Sequence, residues 1–241
     1  MQYQRVVPAR FLQRQGRFVA HCESLEGEPL RAHLPNTGRC RELLVPGCRA
    51  WLSHSDAPGR KTQWSLVAVE KGQRLINLDS QAPNRVAWEG LEQGSIRLPL
   101  EPGEELRALR REVHFGDSRL DLEAETDRRR WLVEVKGVTL EEDGGVYFPD
   151  APTLRGRKHL QELCRARQQG FGAAVLFVVQ MQGVRHFTPN WATDPDFARQ
   201  LLEAQRQGVA VLAWDCRVTP DSLTAGEPVE LRLEGSTPWD R

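Results

Sequence analysis

The segment that most restricts the fold is Ala173–Val179, a short run with no polar residue in it. It is too short for a typical buried helix and bounded by Gly170 and Gly172, so it reads as a strand covered on both faces. Such strands occur where helices pack on both sides of a sheet. Helical patterns flank it on each side. Thr153 to Gln169 places Leu160, Leu163, Cys164 and Ala166 on one stripe, with Gly170 as its stop, and Pro195–Gln207 runs through Gly208 into a strand at Val209–Trp214. Upstream lie strand candidates Glu112–Phe115, Arg119–Ala124 and Trp131–Val135, joined to the first helix by a loop through Gly144-Gly145, which looks like a hairpin tip, and Phe148-Pro149-Asp150. The expected fold class of this part is α/β (α+β), with a mixed central sheet flanked by helices.

The first 80 residues are different in kind. Short apolar runs at Phe18–Cys22, Leu30–Leu34, Arg49–Ser53, Ser65–Glu70 and Leu75–Leu78 alternate with turn pairs such as Glu26-Gly27, Pro46-Gly47 and Lys71-Gly72. Five strands at hairpin spacing predict a small barrel. The character changes at Gln81-Ala82-Pro83-Asn84, where Asn84 is placed to cap a helix from Arg85 to about Glu92, and the irregular stretch Gly94–Gly103 follows. These signals divide the chain into residues 1–82 and 83–241. Thr219 to Arg241 reads as irregular apart from a strand at Val229–Leu233.

Lys+Arg and Asp+Glu balance at 33 each, so no global field draws the chain to polyanions. The first 80 residues nevertheless hold 12 Lys+Arg against 7 Asp+Glu, which puts the basic surplus in the barrel. Five scattered cysteines without a C-x-x-C pair argue against a zinc cage and for reduced thiols in a cytoplasm. No run reaches the ~18 apolar residues of a membrane span, and Met1–Arg17, broken by four arginines, lacks a signal-peptide core.

Chemistry concentrates in Ser118–Lys136. In extended chain, residues two apart share a face, so Glu134 and Lys136 project together while Val133 and Val135 pack the other way. Pairing of the two strands brings Asp121 to Glu134. Close carboxylates repel unless a cation lies between them, and hard oxygen ligands suit Mg²⁺ or Mn²⁺. Asp121 and Glu134 are thus candidate metal ligands, with Lys136 as the group that positions or deprotonates the attacking water. The same letters also fit a hairpin with a solvated Asp-Glu-Lys face. D-x(12)-E-x-K is the signature of the PD-(D/E)xK nuclease superfamily, and the order of elements around it resembles that superfamily's core. Glu89 and Glu112 are possible accessory acids.

Several longer phrases resemble the sugar fermentation stimulation protein A (SfsA) family: His33-Leu34-Pro35-Asn36-Thr37-Gly38-Arg39, Leu75-Ile76-Asn77-Leu78 with Pro83-Asn84-Arg85, Glu112 through Asp121, Glu134-Val135-Lys136-Gly137-Val138-Thr139-Leu140, and Phe148 through Pro152 with Arg155-Gly156-Arg157-Lys158-His159-Leu160. The resemblance spans nearly the whole chain to about residue 215. It implies an OB-type barrel, a PD-(D/E)xK-like second domain, DNA binding by backbone contacts with little sequence preference, and a regulatory link to maltose and other sugar use. Arg155, Arg157 and Lys158 then become candidate phosphate contacts, supported by the free N–H groups of a helix start, and His159 a candidate acid or a structural ring. In the barrel, Arg14, Arg17, Arg39 and Arg41 are candidates to line a backbone groove, and Asn36 sits in a turn whose glycine permits close approach. Phe11, Phe18 and Trp51 are candidates for base stacking, with core packing the stronger reading for Phe18 and Trp51.

Overall fold

The computed structural model describes residues 1–235. The turn-punctuated first third contains β1 (Val6–Gln15), β2 (Val19–Ser24), β3 (Pro29–His33), β4 (Arg49–His54), β5 (Trp64–Lys71) and β6 (Arg74–Asn77). Their order is β3-β2-β1-β4-β5-β6, and a parallel contact between β3 and β5 closes five of them into a barrel. Closure leaves no long edge for another chain to pair with. Ala9, Phe11, Ala20, Leu52 and Leu66 fill the interior. Strand β1 escapes the sequence pattern because Arg10, Leu12 and Gln13 are exposed and only Ala9 and Phe11 are buried along it. Residues 1–3 leave the barrel: Gln2 bridges Ser222, and the Tyr3 N–H donates to the Asp221 carbonyl at 2.7 Å.

The remainder contains α1 (Ala82–Gln93), β7 (Leu106–Phe115), β8 (Ser118–Thr126), β9 (Arg130–Val138), β10 (Leu140–Glu142), β11 (Gly145–Phe148), α2 (Leu154–Gln168), β12 (Gly172–Val179), β13 (His186–Pro189), α3 (Pro195–Arg206), β14 (Ala210–Thr219), β15 (Ser222–Pro228) and β16 (Glu230–Leu231). The central sheet runs β15-β14-β12-β9-β8-β7, with β12 parallel to both β9 and β14 and the outer pairs antiparallel. Every residue of β12 is buried, as its unbroken apolar run requires. Helix α1 covers one face; α2 packs on the other beside α3. A smaller sheet, β10-β11-β13-β16, flanks this body.

Three boundaries differ from the sequence reading. Helix α1 starts at Ala82 with Pro83 in its first turn, where a missing N–H costs nothing, so Asn84 is not its cap. Strand β7 begins at Leu106, because exposed arginines along an edge strand hide its alternation. The stretch after Thr219 is not irregular: β15 folds back on β14, and β16 is only Glu230–Leu231 within the expected Val229–Leu233. Residues 236–241 of that stretch lie outside the described residues.

Barrel and sheet are stitched together by Gln180, buried just past β12. Its amide Nε2 donates to the Asn77 carbonyl (3.2 Å), Asn77 Oδ1 (3.0 Å) and the Asp79 carbonyl (3.0 Å), and its own carbonyl accepts the Asn77 N–H at 2.9 Å.

Candidate metal centre

The β8–β9 ladder runs from the Glu125–Arg130 pair to the Leu122–Val133 pair. Beyond it, the Asp121 side chain replaces the next backbone partner. Asp121 Oδ2 accepts the Val135 N–H at 2.8 Å, and Oδ1 accepts from Asn84 Nδ2 at 2.8 Å. On β9, Val133 and Val135 join the core beneath α1, whereas Leu132 joins the core on the α2 side. Strand alternation therefore turns Glu134 and Lys136 toward α2. Glu134 is 3% exposed; its Oε1 accepts from Lys136 Nζ and from His159 Nδ1 on α2. Glu134 Oε2 is buried and has no hydrogen-bond partner among the described residues.

Burial pushes the Glu134 carboxyl up, but the His159 and Lys136 donors outweigh it and hold the group below the usual carboxylate range. Asp121 goes the other way. Its own burial, together with the Glu134 charge, raises it despite the Val135 N–H, Lys136 and Asn84. Two coupled acids of this kind titrate as a pair. A buried carboxylate oxygen left without a partner costs free energy, and a hard divalent cation beside Asp121 would relieve both that cost and the repulsion. Carboxylate oxygens are the right donors for Mg²⁺ or Mn²⁺. Among the described residues no group of three or more His, Cys, Asp or Glu converges on one point, so Asp121 and Glu134 would share the ion with backbone carbonyls and solvent, as Mg²⁺ commonly allows.

A model described as the SfsA N-terminal OB domain matches residues 12–78, and one described as the sugar fermentation stimulation protein RE domain matches residues 81–222. The chain belongs to the SfsA family. A sugar fermentation stimulation protein homolog from Desulfitobacterium hafniense (strain DSM 10664 / DCB-2) is 46% identical over 233 residues, covering 97% of this chain and 99% of the relative. A homolog from Clostridium perfringens (strain SM101 / Type A) is 43% identical over 235 residues, covering 97% and 100%. Pyrococcus furiosus SfsA, solved in complex with Ca²⁺, superposes with a TM-score of 0.83 at 27% identity, covering 96% of this chain and 98% of that one.

In this SfsA protein the other candidate residues are distributed unevenly around the centre. Glu89 is held by the Met1 amino group at 2.6 Å and by Arg85 Nε at 2.8 Å. Glu112 is exposed and pairs with Arg119 at 3.4 Å. Arg157 forms an ion pair with Asp196 of α3 at 2.8 Å, and Lys158 donates to the Asp117 carbonyl at 3.0 Å, so neither cation is idle. The start of α2 is also engaged: Thr153 Oγ1 caps the Gly156 N–H at 3.0 Å, and Asp194 accepts the Thr153 N–H at 2.8 Å. Arg155 and Arg39 are exposed and have no carboxylate partner among the described residues.

The barrel residues divide similarly. Arg14 is a clamp for the Asn36–Arg39 turn, donating to the carbonyls of Arg17, Asn36, Gly38 and Arg39. Asn36 serves the same turn, giving Nδ2 to the Leu78 carbonyl and accepting the Gly38 N–H. Phe11 and Trp51 are buried, while Phe18 is 43% exposed, so packing claims the first two and leaves Phe18 on the surface. Phe18 sits in the β1–β2 turn rather than on a strand, which is why inward alternation does not apply to it. Burial pushes the Cys22 and Cys40 thiols up to about 12, which removes them as nucleophiles at neutral pH. No helix among the described residues is long and apolar enough to cross a membrane. Asn84 was not recognisable as a site residue, because its i+37 partner Asp121 leaves no periodic trace.

Proposed function

We propose that this chain is a nucleic-acid-binding protein whose Asp121 and Glu134 hold a divalent cation, Mg²⁺ or Mn²⁺, at a phosphodiester-hydrolysing site. The observation that carries the reading is the buried, unpartnered Glu134 Oε2 beside an Asp121 carboxyl raised by burial and by the Glu134 charge. The Ca²⁺ in the structure of Pyrococcus furiosus SfsA supports it, since Ca²⁺ seeks the same hard oxygen donors. When bound, the cation supplies Lewis-acid stabilisation of charge developing on the scissile phosphate. Lys136 adds a second positive charge and orients the attacking water, while His159 fixes the Glu134 rotamer from α2. DNA is the expected partner, held through its backbone with little sequence preference.

A second reading is a non-catalytic, DNA-binding regulator of sugar use. It is favoured by the Lys136 and His159 contacts, which already balance Glu134 without any added ion. The readings part on incubation with single-stranded, duplex and branched DNA and with RNA, in Mg²⁺, Mn²⁺ or EDTA. Hydrolysis requires cleavage in a divalent cation, none in EDTA, and none by Asp121→Ala, which keeps nucleic-acid binding. Binding without cleavage of any form leaves the regulator; no binding at all sinks both.

A further inference from the structure

The turn Pro35–Arg39 borders three of the cavities in this protein. Pro35 lines one of about 630 Å³ together with His33, Arg60 and Lys61. Asn36, Thr37 and Gly38 line a smaller one of about 180 Å³ whose opposite wall is Gly137–Leu140, the segment that leaves Lys136. Thr37, Gly38 and Arg39 line a third, of about 710 Å³, with Arg17 and Arg41 across the barrel surface and Asp150–Thr153 as its far wall. The last two cavities share Thr37, Gly38 and Asp150, so the third cleft adjoins the one walled by Gly137–Leu140. A side chain at Gly38 would meet Asp150 Oδ2 at 2.6 Å and Asn36 Oδ1 at 2.9 Å, so glycine keeps the walls this close.

The cleft is strongly positive. Arg14, Arg17, Arg39 and Arg41 line it against Asp150 as its lone carboxylate. Arg14 is satisfied by backbone carbonyls, and none of the four has a carboxylate partner among the described residues. Their charge is therefore directed outward rather than neutralised in place. Phe18, 43% exposed, follows Arg17 in the same turn, and its ring lies 6.1 Å from that of His33, which lines the 630 Å³ cavity.

We infer that this cleft binds a single-stranded nucleic acid, with Arg17, Arg39 and Arg41 on the phosphates and Phe18, exposed in the Arg17 turn outside the cleft lining, stacking on an unpaired base at its margin. The inference deepens the nucleic-acid reading above and rests on it. A concave site of ligand-like volume accommodates a strand and its splayed base, whereas a duplex keeps its bases stacked and offers Phe18 nothing to cover. Unneutralised guanidiniums and an exposed ring in the turn that carries one of them are the two elements that sequence-tolerant single-strand binding needs. The strand then passes the Pro35–Arg39 turn toward Gly137–Leu140.

The test is fluorescence anisotropy in EDTA with a labelled oligothymidine and with a duplex of equal length, across a salt series. Wild type should bind the single strand more tightly. The exposed double substitution R17E/R39E should weaken that binding by about tenfold or more and reduce the slope of log affinity against log salt by about 1.4, two phosphate contacts' worth. Phe18→Ala should weaken it by about tenfold with the slope unchanged, since stacking releases no counterions. Unaltered affinity in both variants, or a wild type that prefers duplex, overturns the cleft while leaving nucleic-acid binding intact. A wild type that binds neither oligonucleotide overturns the nucleic-acid reading along with it.

Discussion

Lys136→Met tests whether the centre is built around a cation. In the folded protein the Lys136 ammonium and His159 share Glu134 Oε1, and Glu134 is 3% exposed while Lys136 is 15% exposed by side chain. Removing one partner of a buried ion pair costs about 3–5 kcal/mol. His159 stays in place and Lys136 is partly open to solvent, which brings the expected loss to about 2–3 kcal/mol. For a chain of this size each kcal/mol is worth about 2–4 °C, so the melting temperature in EDTA should fall by about 4–12 °C. The pH dependence is signed. The native Glu134 carboxyl is held low, so its contribution is present above the ordinary carboxylate range and lost as pH falls through the native value. Lys136→Met removes part of what holds it low; its deficit should be largest at neutral pH and shrink in acid. A divalent cation should then restore more to the variant than to wild type, since no ammonium competes for Glu134, and about 2.7 kcal/mol is available at a hundredfold excess over Kd. Thermal unfolding by circular dichroism, with and without Mn²⁺, measures all of this. An unchanged melting temperature in EDTA, or an equal Mn²⁺ increment in both proteins, would rule out a centre in which Lys136 and a cation compete for Glu134.

Three further outcomes follow from other residues. Because burial and Glu134 raise the Asp121 carboxyl, Mn²⁺ affinity measured calorimetrically should begin to fall at a higher pH than for an ordinary carboxylate site; a flat profile into the acid range counts against Asp121 as a ligand. Gly172→Ala should cost about 1–3 kcal/mol in urea unfolding, because its methyl would overlap the Trp131 indole paired beside it, and a neutral result would show that the indole moves freely. Gln180→Leu strips donors from the Asn77 and Asp79 acceptors that join barrel to sheet; about 1–3 kcal/mol should be lost and proteolysis near Leu78 accelerated, and unchanged protection there would show that apolar contacts alone hold the junction.

Short-range patterning carries the part of the fold that can be read from the residues alone. The apolar run at 173–179 demanded a strand covered on both faces, Thr153 and Gly170 bounded α2, and the alternation through 131–136 put Glu134 and Lys136 on the face opposite Val133 and Val135. These are legible because backbone geometry and burial repeat every two or 3.6 residues. Strand β1 and the first half of β7 were not, since an exposed face rich in Arg and Gln erases the contrast. Which charges are spent, and which have no partner among the described residues, depends on long-range packing. Arg157 meets Asp196, Glu89 meets the Met1 amino group, Arg14 caps a turn, and His159 and Asn84 reach Glu134 and Asp121 across 25 and 37 residues of chain. Such encounters depend on how distant segments pack, a relation with no period, so identical cations look alike in sequence until folding gives one a partner and leaves another facing solvent.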